Sequence, residues 1–148
     1  MRIQFRLVWL QKGSLNQAFK LKPAKALYEE YSGRIRKFVP CKTLGFDIKE
    51  KQAGQKIWIC DNGYSSRELS SMQLAEFLNR TQASTRILDI VIGGPDGFSK
   101  ENLDQVKPDL RWSFGPMTLP HELAVVVAAE QMYRALTIIR KHPYHLRH

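Results

Sequence analysis

The sequence has few cysteines, few acidic residues and no long apolar segment. Its two cysteines, Cys41 and Cys60, do not form the paired framework of a disulfide-rich protein. No apolar run approaches the roughly 20 residues that cross a bilayer. Within the first twenty residues, Arg2, Gln4 and Arg6 interrupt the apolar residues, so this segment does not resemble a secretory signal. We therefore expect a soluble protein of a reducing cytoplasm, with no membrane partner.

Acidic residues are scarce only in the first part of the chain. The 148 residues contain 23 Lys and Arg and 14 Asp and Glu, which gives a formal net charge of +9. Residues 1–56 hold 13 basic and 4 acidic residues, whereas residues 57–148 hold 10 of each. A one-sided basic surface favours a polyphosphate partner because binding releases counterions, so nucleic acid is the leading candidate. A basic face that is merely solvated is the alternative.

The spacing of apolar residues predicts alternating strands and helices. Strands are predicted at residues 3–10, 39–44, 56–60, 87–92 and 110–113, and the run at 87–92 is typical of a strand buried on both faces. Helices are predicted at residues 23–37, 100–106 and 121–140. A capping box at Ser65 and Glu68 predicts one more helix that ends near residue 80. This order predicts a single α/β domain over residues 1–148, with a mostly parallel sheet.

Three segments near the ends of these elements carry residue types suited to ligand binding or catalysis. The first is Gly93-Gly94-Pro95-Asp96-Gly97, where glycine lets the backbone approach a ligand closely. The second is Gly115-Pro116-Met117-Thr118-Leu119-Pro120-His121, whose backbone could read an adenine edge. The third is His142-Pro143-Tyr144-His145-Leu146-Arg147-His148. Ordinary turns, and a frayed terminus for the third segment, are the alternatives.

The three histidines of the last segment do not favour a metal site. His142, His145 and His148 are regularly spaced, but no acidic or cysteine ligand lies near them in the sequence. We expect no metal.

In this order, the segments resemble the RlmH-type methyltransferases of the SPOUT superfamily. The resemblance is carried by Val91-Ile92-Gly93-Gly94-Pro95-Asp96-Gly97, Thr118-Leu119-Pro120-His121, Glu130-Gln131-Met132-Tyr133-Arg134-Ala135 and His142-Pro143-Tyr144-His145. It implies an α/β fold with helices on both faces of the sheet and a deep trefoil knot in the C-terminal part. It also implies a homodimer that uses S-adenosylmethionine to methylate N3 of a pseudouridine in 23S large-subunit ribosomal RNA, on the assembled ribosome.

The resemblance also implies which residues form the site. The expected cofactor-binding residues are Ile59, Cys60, Gly94, Gly115, Pro116, Met117, Thr118, Leu119 and Pro120. The expected catalytic residues are His142, Tyr144 and His145, because a base or a polarising group has to handle the N3 proton. Glu130 is expected to be structural. Val125 occupies a position on the last helix where the resemblance leads us to expect an arginine.

Two other functions stay open at this point. One is a noncatalytic RNA-binding or ribosome-associated module, which Val125 favours slightly. The other is a nucleotide-binding enzyme that acts on a small molecule. The predicted last helix is apolar around most of its circumference. This pattern favours a homodimer for the methyltransferase that the resemblance implies.

Overall fold

The protein, seen in a computed structural model, has one six-stranded sheet flanked by helices. The structure describes residues 1–10, 15–47, 50–63 and 65–147, so His148 of the C-terminal segment and residues 48 and 49 lie outside the described residues. The strands are β1 (Arg2–Leu7), β2 (Cys41–Gly45), β3 (Gln55–Cys60), β4 (Arg67–Glu68), β5 (Ile87–Ile92) and β6 (Leu110–Ser113). The helices are α1 (Leu15–Ala18), α2 (Lys22–Ile35), α3 (Ser71–Gln82), α4 (Lys100–Val106), α5 (His121–Ile139) and α6 (Tyr144–Arg147).

The strand order in the sheet is β2-β1-β5-β3-β6-β4. Each of the five strand pairings is parallel, and β5 lies between β1 and β3. The carboxyl ends of β3, β5 and β6 therefore meet at one edge, which is where open parallel sheets bind their ligands. The predicted α/β class and the mostly parallel sheet are confirmed.

The two faces of the sheet are covered by different helices. On one face, Phe5, Trp58 and Ile90 belong to the main core, which also includes the buried sides of α2, α3 and α5. On the other face, Ile57, Ile59 and Val91 form a smaller cluster with Val106 of α4. This arrangement confirms helices on both faces.

A buried carboxylate interrupts the apolar pattern of β5. Asp89 has no exposed surface, and its oxygens accept hydrogen bonds from Arg6 Nε at 2.8 Å and Gln55 Nε2 at 2.6 Å. A buried charge is tolerated when it is paired and hydrogen-bonded, so this pair fixes β1, β3 and β5 side by side.

The structure corrects several predicted boundaries. The first strand ends at Leu7 rather than at residue 10, because the amide of Leu10 turns back to the carbonyl of Leu7 at 3.0 Å. The capping box at Ser65 and Glu68 is wrong, since the observed box uses Ser70 and Gln73 at the start of α3. Arg67–Glu68 instead forms β4 beside β6. The short elements α1, β4 and α6 were not predicted.

Candidate functional site

A cleft of about 630 Å³ opens at the carboxyl edge of the sheet. Its walls are the segments that follow β3, β5 and β6, together with the first turn of α5. The lining residues are Cys60, Asp61, Asn62, Ile92, Gly93, Gly94, Pro95, Asp96, Gly97, Phe98, Trp112, Phe114, Gly115, Met117, Thr118, Leu119, Pro120, His121 and Ala124. The first two predicted segments therefore meet in one place.

The glycine-rich turn after β5 needs glycine at particular positions. A Cβ on Gly93 would meet the Phe98 ring at 3.0 Å, and Gly97 has a φ of +69°, which side chains rarely adopt. The amide of Gly97 donates to the carbonyl of Gly94 at 2.9 Å and closes the turn. A Cβ on Gly94 would meet only Trp9 Cβ, at 3.8 Å, so Gly94 is not required by packing.

The loop between β6 and α5 presents unused backbone groups. Gly115 adopts a φ of +111°, and its amide donates to Ser113 Oγ at 3.1 Å. Within the described part of the chain, no hydrogen bond uses the backbone of Met117, Thr118 or Leu119. These donors and acceptors lie on the cleft wall, where they can pair with the polar edge of a ligand such as a purine.

The two candidates at the end of β3 point in opposite directions. Ile59 is fully buried in the cluster beneath α4 and does not line the cleft. Cys60, one residue later, lines the cleft. Burial raises the pKa of the Cys60 thiol well above its usual range, and Asp61 adds a smaller contribution. Cys60 is therefore a neutral wall of the cleft rather than a nucleophile.

An ion pair that the sequence analysis did not identify stiffens the cleft. Asp61 follows β3 directly and accepts two hydrogen bonds from the guanidinium of Arg111, on β6. The amide of Gly63 also donates to Asp61, at 3.1 Å. An acidic residue directly after a buried strand is a signal that could have indicated this position. The pair links two of the three segments that form the cleft.

The first turn of α5 brings a histidine to the cleft. His121 lines the cleft, and its ring packs edge-on against Trp9 with centroids 4.5 Å apart. The neighbouring Glu122 is buried and accepts a hydrogen bond from the amide of Leu21 at 2.9 Å. Pro120 and Glu122 thus fix the start of the helix, so the position of His121 is set by the backbone. His121 was not among the predicted site residues.

The predicted catalytic residues form a separate cluster at the C-terminal end of α5. Tyr144 donates from its hydroxyl to Glu130 Oε1 at 3.1 Å. Arg134 Nη2 donates to Glu130 Oε1 at 2.6 Å, and Arg134 Nη1 lies 3.1 Å from His145 Nδ1. The ring of His142 lies 6.5 Å from that of Phe38. The expectation that Glu130 is structural agrees with these contacts, which join α5 to the tail.

The environment of Tyr144 limits its chemistry. Burial raises the pKa of its hydroxyl above the ordinary range, and the hydrogen bonds with Tyr31 and Glu130 raise it further. A phenol in this state stays protonated at neutral pH. Tyr144 can therefore donate a hydrogen bond but is a poor proton acceptor, which leaves His142 and His145 as the possible bases of this cluster.

Within one chain, the cleft and the C-terminal cluster do not meet. The cleft includes His121 at the first residue of α5, and Tyr144 follows the end of the same helix. The tail is held against α5 at Glu130 and Arg134, which at the usual rise lie about 14 and 20 Å along the helix from His121. None of His142, Tyr144 and His145 lines the cleft of its own chain.

Val125 is fully buried in the main core and does not line the cleft. An arginine here would place a charge among apolar side chains, so the valine serves packing in this chain. The same core buries most apolar residues of α5, and Leu123 stays exposed at 40%. The apolar character of the helix is thus largely satisfied within one chain and does not by itself require a dimer.

The described residues show neither a membrane span nor a metal-binding cluster. No helix among them is both long enough and apolar enough to cross a membrane. Nor do they contain a group of three or more His, Cys, Asp or Glu side chains placed to hold a metal ion. The expectation of a site without metal remains an expectation.

The parallel sheet and the cleft at its carboxyl edge define an α/β protein with a cleft of the size of small-molecule sites. Residues 48–145 match the family described as "Predicted SPOUT methyltransferase". The chain belongs to this family of SPOUT methyltransferases.

Individual relatives carry a more specific name. The chain is 49% identical over 79 residues to the ribosomal RNA large subunit methyltransferase H of Stenotrophomonas maltophilia (strain K279a), which covers 53% of this chain and 49% of that protein. It is 41% identical over 96 residues to the protein of the same name from a Psychrobacter species (strain PRwf-1), covering 65% and 57%. The matches thus span about half the length of these curated relatives.

Proposed function

We propose that this chain is an S-adenosylmethionine-dependent methyltransferase that acts on large-subunit ribosomal RNA. Its family supports the reaction class, and the name of its relatives supports the RNA substrate. The observation that carries the proposal is the cleft, because it unites the glycine-rich turn after β5 with the loop before α5. They include two of the four segments that carry the resemblance to the family.

The residues of the cleft fit S-adenosylmethionine. The volume of about 630 Å³ lies within the range of small-molecule sites. Met117 and Leu119 provide apolar walls for an adenine, and the free backbone groups of this loop provide its polar partners. Asp96 places a carboxylate on the lining, which suits a ligand with a net positive charge. The proposed binding residues are Cys60, Gly94, Gly115, Pro116, Met117, Thr118, Leu119 and Pro120.

When bound, S-adenosylmethionine supplies an electrophilic methyl group on its sulfonium. The residues of the chain then have two tasks. The loops around Gly94 and Gly115 hold the donor in a fixed direction, and such positioning can supply several kcal/mol of the reduction in the barrier. A second group has to take the proton that leaves the nucleophilic nitrogen.

Two places in the molecule offer a histidine for this proton. His121 lies in the cleft of the same chain, whereas His142 and His145 lie at the far end of α5. We propose that the C-terminal cluster acts on the cleft of a second copy, because its side chains lie outside the lining of their own cleft and are held about 14–20 Å along α5 from His121. The active form is then a homodimer with two sites, each built from both copies.

The finer features of the proposal follow the family. The target is N3 of a pseudouridine in 23S ribosomal RNA within the assembled ribosome, and the protein is cytoplasmic. The C-terminal part of the chain, which includes the cleft loops and α5, forms the deep trefoil knot.

Calorimetry with a panel of ligands tests the proposed function. We expect the protein to bind S-adenosylmethionine and S-adenosylhomocysteine with micromolar dissociation constants, and ATP and NAD far more weakly. Preferential binding of ATP or NAD would favour the nucleotide-binding enzyme and contradict the proposal. Binding of S-adenosylmethionine without transfer to large subunits would indicate the noncatalytic module instead.

A further inference from the structure

The ends of α2 and α5 lie side by side and carry exposed basic residues. Arg36 and Lys37 follow α2, and Arg140 and Lys141 follow α5. Arg140 joins the two ends, since its Nη2 donates to the Phe38 carbonyl at 3.4 Å and its guanidinium lies 5.3 Å from the centre of the Phe38 ring. We call Arg36, Lys37, Arg140 and Lys141 the basic patch. All four are exposed.

The charge of the basic patch is not neutralised by its surroundings. The sequence contains no Asp or Glu in residues 31–46 or in residues 131–148, which are the segments that form the patch. The neighbouring Arg34 and Arg134 are paired with Glu30 and Glu130. Among the described residues, the four members of the patch form no ion pair.

A structural role at the helix ends accounts for only part of this charge. Cations near a helix C-terminus are stabilised by the macrodipole, by about 0.3–1 kcal/mol each. The carbonyls of Ser32 and Leu136 are already bound by the amides of Arg36 and Arg140, at 3.1 and 3.0 Å. Among the residues that the structure describes, the side chains of Lys37 and Lys141 have no partner. Four cations at these adjacent helix ends repel each other unless an anion is present.

The patch borders the candidate catalytic tail. His142 follows Lys141 directly, and its ring packs edge-on against Phe38, the residue that Arg140 covers. A nucleotide that reaches His142 or His145 therefore brings its flanking phosphates to the patch.

We propose that the basic patch binds the phosphate backbone of the ribosomal RNA next to the target nucleotide. This inference rests on the proposed function and adds the surface that holds the substrate. The net charge alone would not have located it: Arg6, Lys25, Arg34, Lys51 and Lys56 of the basic first part form ion pairs within the chain. The patch combines two cations of that part with two from the C-terminus.

Matched charge removal tests the patch. The test variant is Lys37→Gln with Lys141→Gln, and the control is Arg80→Gln with Arg86→Gln, two exposed cations outside the patch. Binding to purified large ribosomal subunits and to protein-free large-subunit RNA is measured between about 50 and 200 mM KCl. Each lost phosphate contact lowers the slope of log K against log salt by about 0.7–0.9. We expect the test variant to lose a slope of about 1.5, so that the wild type weakens about eightfold more over this range, whereas the control follows the wild type.

Two outcomes would overturn the inference. Equal slopes for both variants would show that the patch contacts no phosphate. A loss of binding to subunits but not to protein-free RNA would show that the patch docks on an acidic ribosomal protein. Failure of the proposed function is seen separately, as an absence of methyl transfer by the wild-type protein.

Discussion

At the scale of single residues, Gly94 is a position where the fold tolerates a side chain but the proposed ligand does not. Its φ lies outside the positive range and a Cβ there meets only Trp9, so the turn itself tolerates a side chain. Gly93 and Gly97 do not share this freedom. A variant of Gly94 therefore tests the cleft without disturbing its construction.

We expect Gly94→Val to abolish the binding of S-adenosylmethionine while the circular dichroism spectrum and the thermal midpoint stay close to those of the wild type. The three added side-chain carbons of valine would occupy space on the wall of the cleft. Gly94→Ala should weaken binding less, which gives a graded control. Unchanged calorimetric binding in the valine variant would remove this turn from the site.

A second prediction concerns the buried thiol of Cys41. Burial raises the pKa of this thiol to about 12, so the folded state keeps it protonated. Its contribution to stability is complete below about pH 9, where the unfolded thiol is also protonated, and it falls as the pH rises through 10. When the pH is raised from 8 to 10, Cys41→Ala should therefore lose about 1.4 kcal/mol less unfolding free energy than the wild type loses. Urea titrations of Cys41→Ala and wild type at pH 8 and pH 10 measure the difference. An equal loss in both proteins would contradict it.

The residue types predicted which loops form the cleft, but not how the side chains of the cleft are oriented and paired. Glycine and proline indicated the two loops because their backbone preferences are local. The direction of Ile59, the choice of Arg111 as the partner of Asp61 and the packing of His121 against Trp9 depend on strand register and on contacts between distant segments. Residue type and position indicate Asp61 and the segment that ends at His121, but not these contacts.

At the scale of elements, the C-terminal tail is held in place rather than frayed. Its short helix α6 is fixed by the contacts of Tyr144 with Glu130 and of His145 with Arg134. The long elements were predicted well because their apolar period is strong. The predicted start of α3 lies too early in the sequence, because Ser65 and Glu68 have the same capping-box spacing as Ser70 and Gln73.

Deletion of the chain after Lys141 should leave the binding of S-adenosylmethionine within about twofold of the wild type. The same deletion should lower single-turnover methyl transfer at saturating substrate by at least about 100-fold, because the group that handles the proton is lost. Tyr144→Phe, which removes only the hydroxyl bonded to Glu130, should lie between the two. Full transfer by the truncated chain would show that the tail has no part in the reaction, and His121 would become the leading candidate for the base.

At the scale of the whole molecule, the separation of the cleft from the tail predicts cooperation between two copies. The α/β class was predictable because strands and helices alternate. The distance between the cleft and the C-terminal cluster was not predictable, because it depends on the direction of α5 and on where the tail packs along it.

Two inactive variants should restore each other if the tail acts across a dimer. In a mixed dimer of Gly94→Val and the chain truncated after Lys141, the intact cleft of one copy faces the intact tail of the other. Equal co-expression should then recover about a quarter of the wild-type transfer rate, since half of the dimers are mixed and each has one working site. Recovery should vanish on dilution if the dimer dissociates. No recovery in a mixture shown by sedimentation to contain mixed dimers would place both functions in one chain.

The proposed reaction transfers a methyl group from S-adenosylmethionine to large-subunit ribosomal RNA. It is measured with S-adenosylmethionine that carries a radioactive methyl group and with ribosomes from a strain that lacks this gene, followed by nucleoside chromatography. We expect close to one label per large subunit, recovered as N3-methylpseudouridine, and none with Gly94→Val. Label in a different nucleoside would correct the target, and no label in the RNA from a wild-type protein that binds the cofactor would show that the chain does not catalyse this transfer.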